Sequence, residues 1–140
     1  MGEENTVTNF LIAIPLAITI AFFSYQLKYL TLGGSISQFI IAVAIFGAGS
    51  IKWSIPILIF FFSSSIITRI SYKENNLKNY LHQVSRNHFQ VLANGGVSGL
   101  LAVIYFIHNN ETIYYLFLAS LSVVCSDTWS TEIGTLIKSN

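Results

Sequence analysis

The chain has 140 residues, 53% of them hydrophobic and 9% charged, whereas a soluble domain carries about 25% charged residues. A formal net charge of +1 leaves no basic stripe of the kind that binds nucleic acid. The lone cysteine, Cys125, excludes an internal disulfide and, flanked by apolar residues, is read as a packing residue.

Charged side chains are absent from 5–27, 29–51, 53–68, 87–110 and 112–126. Crossing the hydrocarbon core takes roughly 20 mostly apolar residues, so these runs predict an all-α, polytopic bundle of about five transmembrane helices forming a single membrane domain over 1–140. The first span is expected over 8–30. Its leader, Met1-Gly2-Glu3-Glu4, is acidic and unlike the basic start of a signal peptide. Pro15 is a candidate kink, which lipid-buried helices tolerate when neighbours satisfy the freed carbonyl. Gly33-Gly34 is read as the turn before a second span, 35–50, in which Gly47 and Gly49 permit close helix approach. Lys52 and Trp53 mark an interface, and the third span covers 54–70. The polar stretch 71–87 is expected to be a loop with a short surface helix around 76–84. The fourth and fifth spans are expected over 88–107 and 112–137, joined by a turn at His108–Glu111.

Five alternating spans place Lys28, Arg69, Lys73, Lys78, Arg86 and Lys138 on one side, six of the seven basic residues, with Lys52 alone on the other. The positive-inside rule then puts the N-terminus outside and the 71–87 loop in the cytoplasm.

Two constellations carry chemistry. The fifth span contains Asp127-Thr128-Trp129-Ser130-Thr131-Glu132. A carboxylate at the centre of a lipid-embedded helix costs roughly 2.5 to 3.5 kcal/mol, so two within six residues must face protein, water or a cation. On a helix Asp127, Thr128, Thr131 and Glu132 fall within an arc of about 140°. Carboxylates and hydroxyls suit Mg²⁺, which also binds substrate phosphates; the alternative is a solvated helix end at the interface.

The second constellation is Arg86-Asn87-His88-Phe89-Gln90 with Asn94-Gly95-Gly96. If helical throughout, it places Arg86, Asn87, Gln90 and Asn94 on one face of about 100°. Arg86 offers a fork of donors for phosphate, the amides add neutral donors, and the glycines let a phosphate or a helix approach the backbone. The alternative is amide glue between helices. Arg69, one turn after Ser65, is a weaker phosphate candidate that equally fits a snorkelling charge. His82 and His88 lack metal-site spacing. The glycine-rich nucleotide loops of soluble kinases are absent. An anion-binding face and an acidic face at one depth resemble the two halves of a phosphoryl-transfer site, where catalysis is mostly positioning and charge neutralisation.

The strings Arg86…Gln90-Val91-Leu92-Ala93-Asn94-Gly95 and Asp127-Thr128-Trp129-Ser130-Thr131-Glu132-Ile133-Gly134, with Ser63-Ser64-Ser65-x-x-Thr68-Arg69, resemble the integral-membrane family that includes the plant phytyl-phosphate kinases. The resemblance covers essentially everything after the first helix. It implies conversion of an isoprenyl monophosphate to the diphosphate at the expense of a nucleoside triphosphate such as CTP. Carried onto this chain, it gives Asp127 and Glu132 the Mg²⁺, and Arg86, Asn94 and Gln90 the phosphates, with Thr128 and Thr131 in support. Asn87, Gly95 and Arg69 complete the expected phosphate-binding set. Family members are close to twice as long, which implies that these residues form an N-terminal part. The competing reading is an ion-coupled transporter with Asp127 as the cation or proton site.

Overall fold

A computed structural model describes residues 3–49, 51–74 and 85–138. The described elements, in chain order, are α1 (Glu3–Gln26), α2 (Leu32–Val43), the π-helix π1 (Ala44–Ala48), α3 (Ile51–Glu74), α4 (His88–His108) and α5 (Glu111–Lys138). Helix α1 packs on α2, α2 on α4, α4 on α5 and α5 on α3, while π1 touches α1, α3 and α4.

The packing follows the rules of a helix bundle in lipid. Small residues face inward: Ala13, Ala17, Ala21 and Ser24 of α1, and Gly95, Ser98, Gly99 and Ala102 of α4, are buried. The α4 stripe receives Ile41 of α2; a Cβ on Gly95 would lie 3.2 Å from the Ile41 Cδ1. Large apolar side chains point outward, with Leu11 67%, Leu100 61% and Val123 70% exposed. In water such a surface would aggregate; in a bilayer it is the lipid face, and backbone approach through small residues holds the helices together. Helices 7–26, 52–71 and 88–108 are long and apolar enough to cross a membrane, and 32–48 is a shorter apolar helix. Helix α5 has 28 residues, about 42 Å at 1.5 Å per residue, but serines, Asp127 and Glu132 interrupt its apolar run.

Pro56 sits inside α3 and cannot donate to the Lys52 carbonyl four residues earlier. The Tyr114 hydroxyl of α5 donates to that carbonyl instead, at 3.3 Å. Beside it Trp53, fully buried, packs against Tyr105, Tyr114 and Phe117 with ring centroids 4.6 to 5.2 Å apart.

Two expectations about the first connection change. Helix α1 stops at Gln26 rather than near Leu30, because Lys28 takes a left-handed conformation (φ 58°). The Gly33-Gly34 pair is not the turn: both lie in the first turn of α2, which Thr31 caps by accepting from the Gly34 N–H at 3.2 Å. Gly34 is required by proximity, since a Cβ there would lie 2.5 Å from the Arg86 carbonyl oxygen. The surface helix expected around 76–84 lies outside the described residues.

Candidate functional site

The backbone of Arg86 is held before its side chain acts. Leu30 and Arg86 form an isolated parallel bridge. The Arg86 N–H donates to the Tyr29 carbonyl at 3.0 Å, and the Thr31 N–H to the Arg86 carbonyl at 3.1 Å. The Ser85 hydroxyl donates to the Lys28 carbonyl at 2.8 Å. Arg69 donates to the Leu27 carbonyl, and its guanidinium lies 4.0 Å from the centroid of the Tyr29 ring. Lys28, Arg69 and Arg86 therefore gather at one end of the bundle.

From this anchor the Arg86 Nη2 donates to the Thr68 Oγ1 at 3.0 Å, and that hydroxyl donates to the Glu132 Oε1 at 2.8 Å. Thr68 uses its lone pair on one side and its proton on the other, so one buried hydroxyl joins the guanidinium to the carboxylate. Burial pushes the Arg86 guanidinium below its ordinary range, and the charge of Glu132 opposes that shift. A guanidinium stays charged in proteins; the fold accepts the desolvation and partly offsets it with Glu132. One turn earlier on α3, the buried Ser64 accepts from the Trp129 Nε1 at 3.2 Å. Ser64 and Thr68, four apart, thus meet Trp129 and Glu132, three apart, along the seam between α3 and α5.

The structure divides the expected acidic face. Glu132 is half-buried and turned toward α3, whereas Asp127 and Thr131 are exposed and Thr128 is half-buried. The Thr131 hydroxyl donates to the backbone carbonyl of Asp127 at 2.8 Å. The expected helical face beginning at Arg86 does not form, because α4 starts at His88 and Asn87 is its N-cap. Asn87 and Gln90 engage each other's backbone at 3.0 and 2.9 Å in a capping box, which satisfies two otherwise orphan N–H groups. Asn94 and Gly95 lie two turns along α4 and border an interhelical cavity with Arg86.

That cavity is apolar except at the Arg86 end. Its walls include Ile41, Ile45 and Phe46 from the α2–π1 stretch and Phe60 from α3, and Gln38 joins Arg86 and Asn94 as its polar lining. Three participants escaped the sequence reading as site residues: Thr68 as the link, Trp129 as the partner of Ser64, and Gln38. The four-residue spacing of Ser64 and Thr68 was the available signal for the first two.

Among the described residues no group of three or more His, Cys, Asp or Glu side chains forms a metal cage. Mg²⁺ commonly takes only one or two carboxylates and completes its shell with water and substrate phosphates. Asp127, exposed, and Glu132, half-buried and accepting from Thr68, are the two carboxylates on this stretch of α5.

A family profile described as "Integral membrane protein DUF92" matches residues 15–140. Protein PGR of Arabidopsis thaliana is 28% identical over 150 residues, covering 96% of this chain and 52% of that protein. The chain thus spans about half the length of the curated relative it matches. No solved structure matches it.

Proposed function

This chain belongs to the DUF92 family of integral membrane proteins, and on that premise we propose that the whole protein is a membrane-embedded prenyl-phosphate kinase. A non-bridging oxygen of the isoprenyl monophosphate attacks the terminal phosphorus of a nucleoside triphosphate. The new P–O bond forms as the bond to the bridging oxygen breaks, and the nucleoside diphosphate leaves with the electron pair. The observation that carries this reading is the hydrogen-bonded series Arg86–Thr68–Glu132, whose Arg86 also lines an apolar interhelical cavity. An amphiphilic phosphate needs that combination: a fixed cation for its head and apolar walls for its tail.

In this reading Arg86 neutralises phosphate charge and Arg69 adds positive potential at the same end. Asp127 and Glu132 would supply carboxylate oxygens to Mg²⁺, whose charge would offset that of the phosphates. Thr128 and Thr131 lie beside these carboxylates, and Asn94 offers its amide to a phosphate from the cavity. Asn87, Gln90 and Gly95 contribute by fixing the start and the packing of α4. The basic end faces the cytoplasm, where nucleotides are available, and the N-terminus faces outward.

The test is phosphate transfer by the full-length protein in lipid nanodiscs with Mg²⁺, comparing the native protein with Asp127→Asn. A fall of about 100-fold in kcat is expected from removing one group that stabilises transition-state charge; equal rates remove Asp127 from the mechanism. Nucleotide-independent, Asp127-dependent ion uptake into vesicles is the outcome that favours an ion-coupled carrier.

A further inference from the structure

Gln38 lies on α2, one turn beyond Gly34 and therefore one turn beyond the Arg86 carbonyl that Gly34 contacts. Its Oε1 is buried and has no hydrogen-bond partner among the described residues, and Gln38 lines the same cavity as Arg86 and Asn94. A buried acceptor without a partner costs about 1–3 kcal/mol, and a leucine or methionine would avoid that cost. From Gln38 the α2–π1 stretch continues with Ile41, Ile45 and Phe46, and eight residues at 1.5 Å each carry the apolar wall about 12 Å from the amide. The cavity therefore has a polar end, marked by a cation and an unused acceptor, and an extended apolar remainder.

We infer that Gln38 reads the head group of a single-chain amphiphile whose tail lies along Ile41, Ile45 and Phe46, accepting a hydrogen bond from a hydroxyl on that head while Arg86 binds its charge. This rests on the prenyl-phosphate reading for the nature of the tail, and it adds a specificity-determining residue that the family motifs do not include. The required donor is supplied by the P–OH of a singly protonated phosphate monoester. A phosphate monoester has its second pKa near 6, so its monoanion carries such a donor.

The experiment uses the full-length protein in nanodiscs and three photoactivatable probes sharing one alkyl chain: an alkyl phosphate, an alkyl alcohol and the plain alkane. Cross-linked residues are mapped by mass spectrometry on the native protein and on Gln38→Met, which keeps size and removes the amide. The phosphate probe is expected to label the Ile41–Phe46 stretch, and Gln38→Met to weaken its apparent affinity about tenfold at pH 6, with a smaller loss at pH 8, where the donor proton is gone. A larger, pH-independent loss with the alcohol probe would mean that Gln38 serves an uncharged head, and would overturn the inference. Unchanged alkane labelling shows that the variant keeps its cavity. Absence of labelling on the α2–π1 wall, or equal head-group affinity in native protein and Gln38→Met, overturns the inference. Labelling with a Gln38 effect but without phosphate transfer leaves this site standing and rejects the kinase reading; transfer without labelling does the reverse.

Discussion

The two ends of the bundle handle their charges in opposite ways. At one end Lys52 reaches Glu111 directly, with Nζ 2.9 Å from both carboxylate oxygens, and lies 5.1 Å from the centroid of the Tyr114 ring. Both partners are well exposed, and an aromatic cluster closes the bundle beneath them. At the other end the hydroxyl of Thr68 links a half-buried Arg86 to a half-buried Glu132, and Arg86 also lines a cavity. The first arrangement satisfies its own charges and leaves nothing for a ligand. The second keeps a guanidinium and a carboxylate in register through a shared hydroxyl, and two backbone hydrogen bonds to the Tyr29–Thr31 segment hold Arg86 in place. An exposed pair anchors an interface at little energetic consequence; a half-buried pair costs more in desolvation.

The sharpest break of this comparison is charge removal at each end. Arg86→Met should lower phosphate transfer by the full-length protein by 100-fold or more, a magnitude typical of losing one preorganised charge, whereas Lys52→Met should leave kcat within about twofold. Equal losses at the two ends would erase the distinction. Next comes Gly34→Ala. Its methyl group would collide with the Arg86 carbonyl, so a destabilisation of about 1–3 kcal/mol is expected from overpacking, read as a lower thermal midpoint, together with reduced transfer. Gly96→Ala, whose Cβ would meet nothing within 4 Å, is the control and should be silent in both assays. The smallest of the main effects belongs to Thr68. Thr68→Val should lower transfer about tenfold, in keeping with 1–3 kcal/mol for a buried hydrogen bond removed, and Thr68→Ser should restore it.

Much of the scaffold was legible because lipid imposes a coarse code. Uncharged runs of about 20 residues leave few choices, and the starts of α4 and α5 fall within a residue of expectation. The first connection was less legible. Gly33-Gly34 has the composition of a turn, yet its reason is a carbonyl 52 residues away, and no local pattern encodes that approach. The site was legible by residue type more than by arrangement. Arg86 and Glu132 stood out as charges in oily surroundings, but one helical face was assumed where the chain makes a bridge, a cap and then a helix. Asn87 and Gln90 carry the sequence mark of a capping box, which outcompeted the ligand role as an explanation of their geometry. Thr68 showed only in its place within the Ser63–Arg69 string and Gln38 gave almost no signal, because a hydroxyl or amide in an apolar helix becomes informative only once its neighbours are known.

Joined through Thr68, Arg86 and Glu132 should act as one unit. A double-mutant cycle on phosphate transfer by the full-length protein in nanodiscs, with Arg86→Gln, Glu132→Gln and the combination, tests it most directly. The combined variant should be no more than about threefold slower than the worse single variant, since breaking either partner already disables the pair. Losses that multiply across the two sites would show that the two charges act independently and would contradict it.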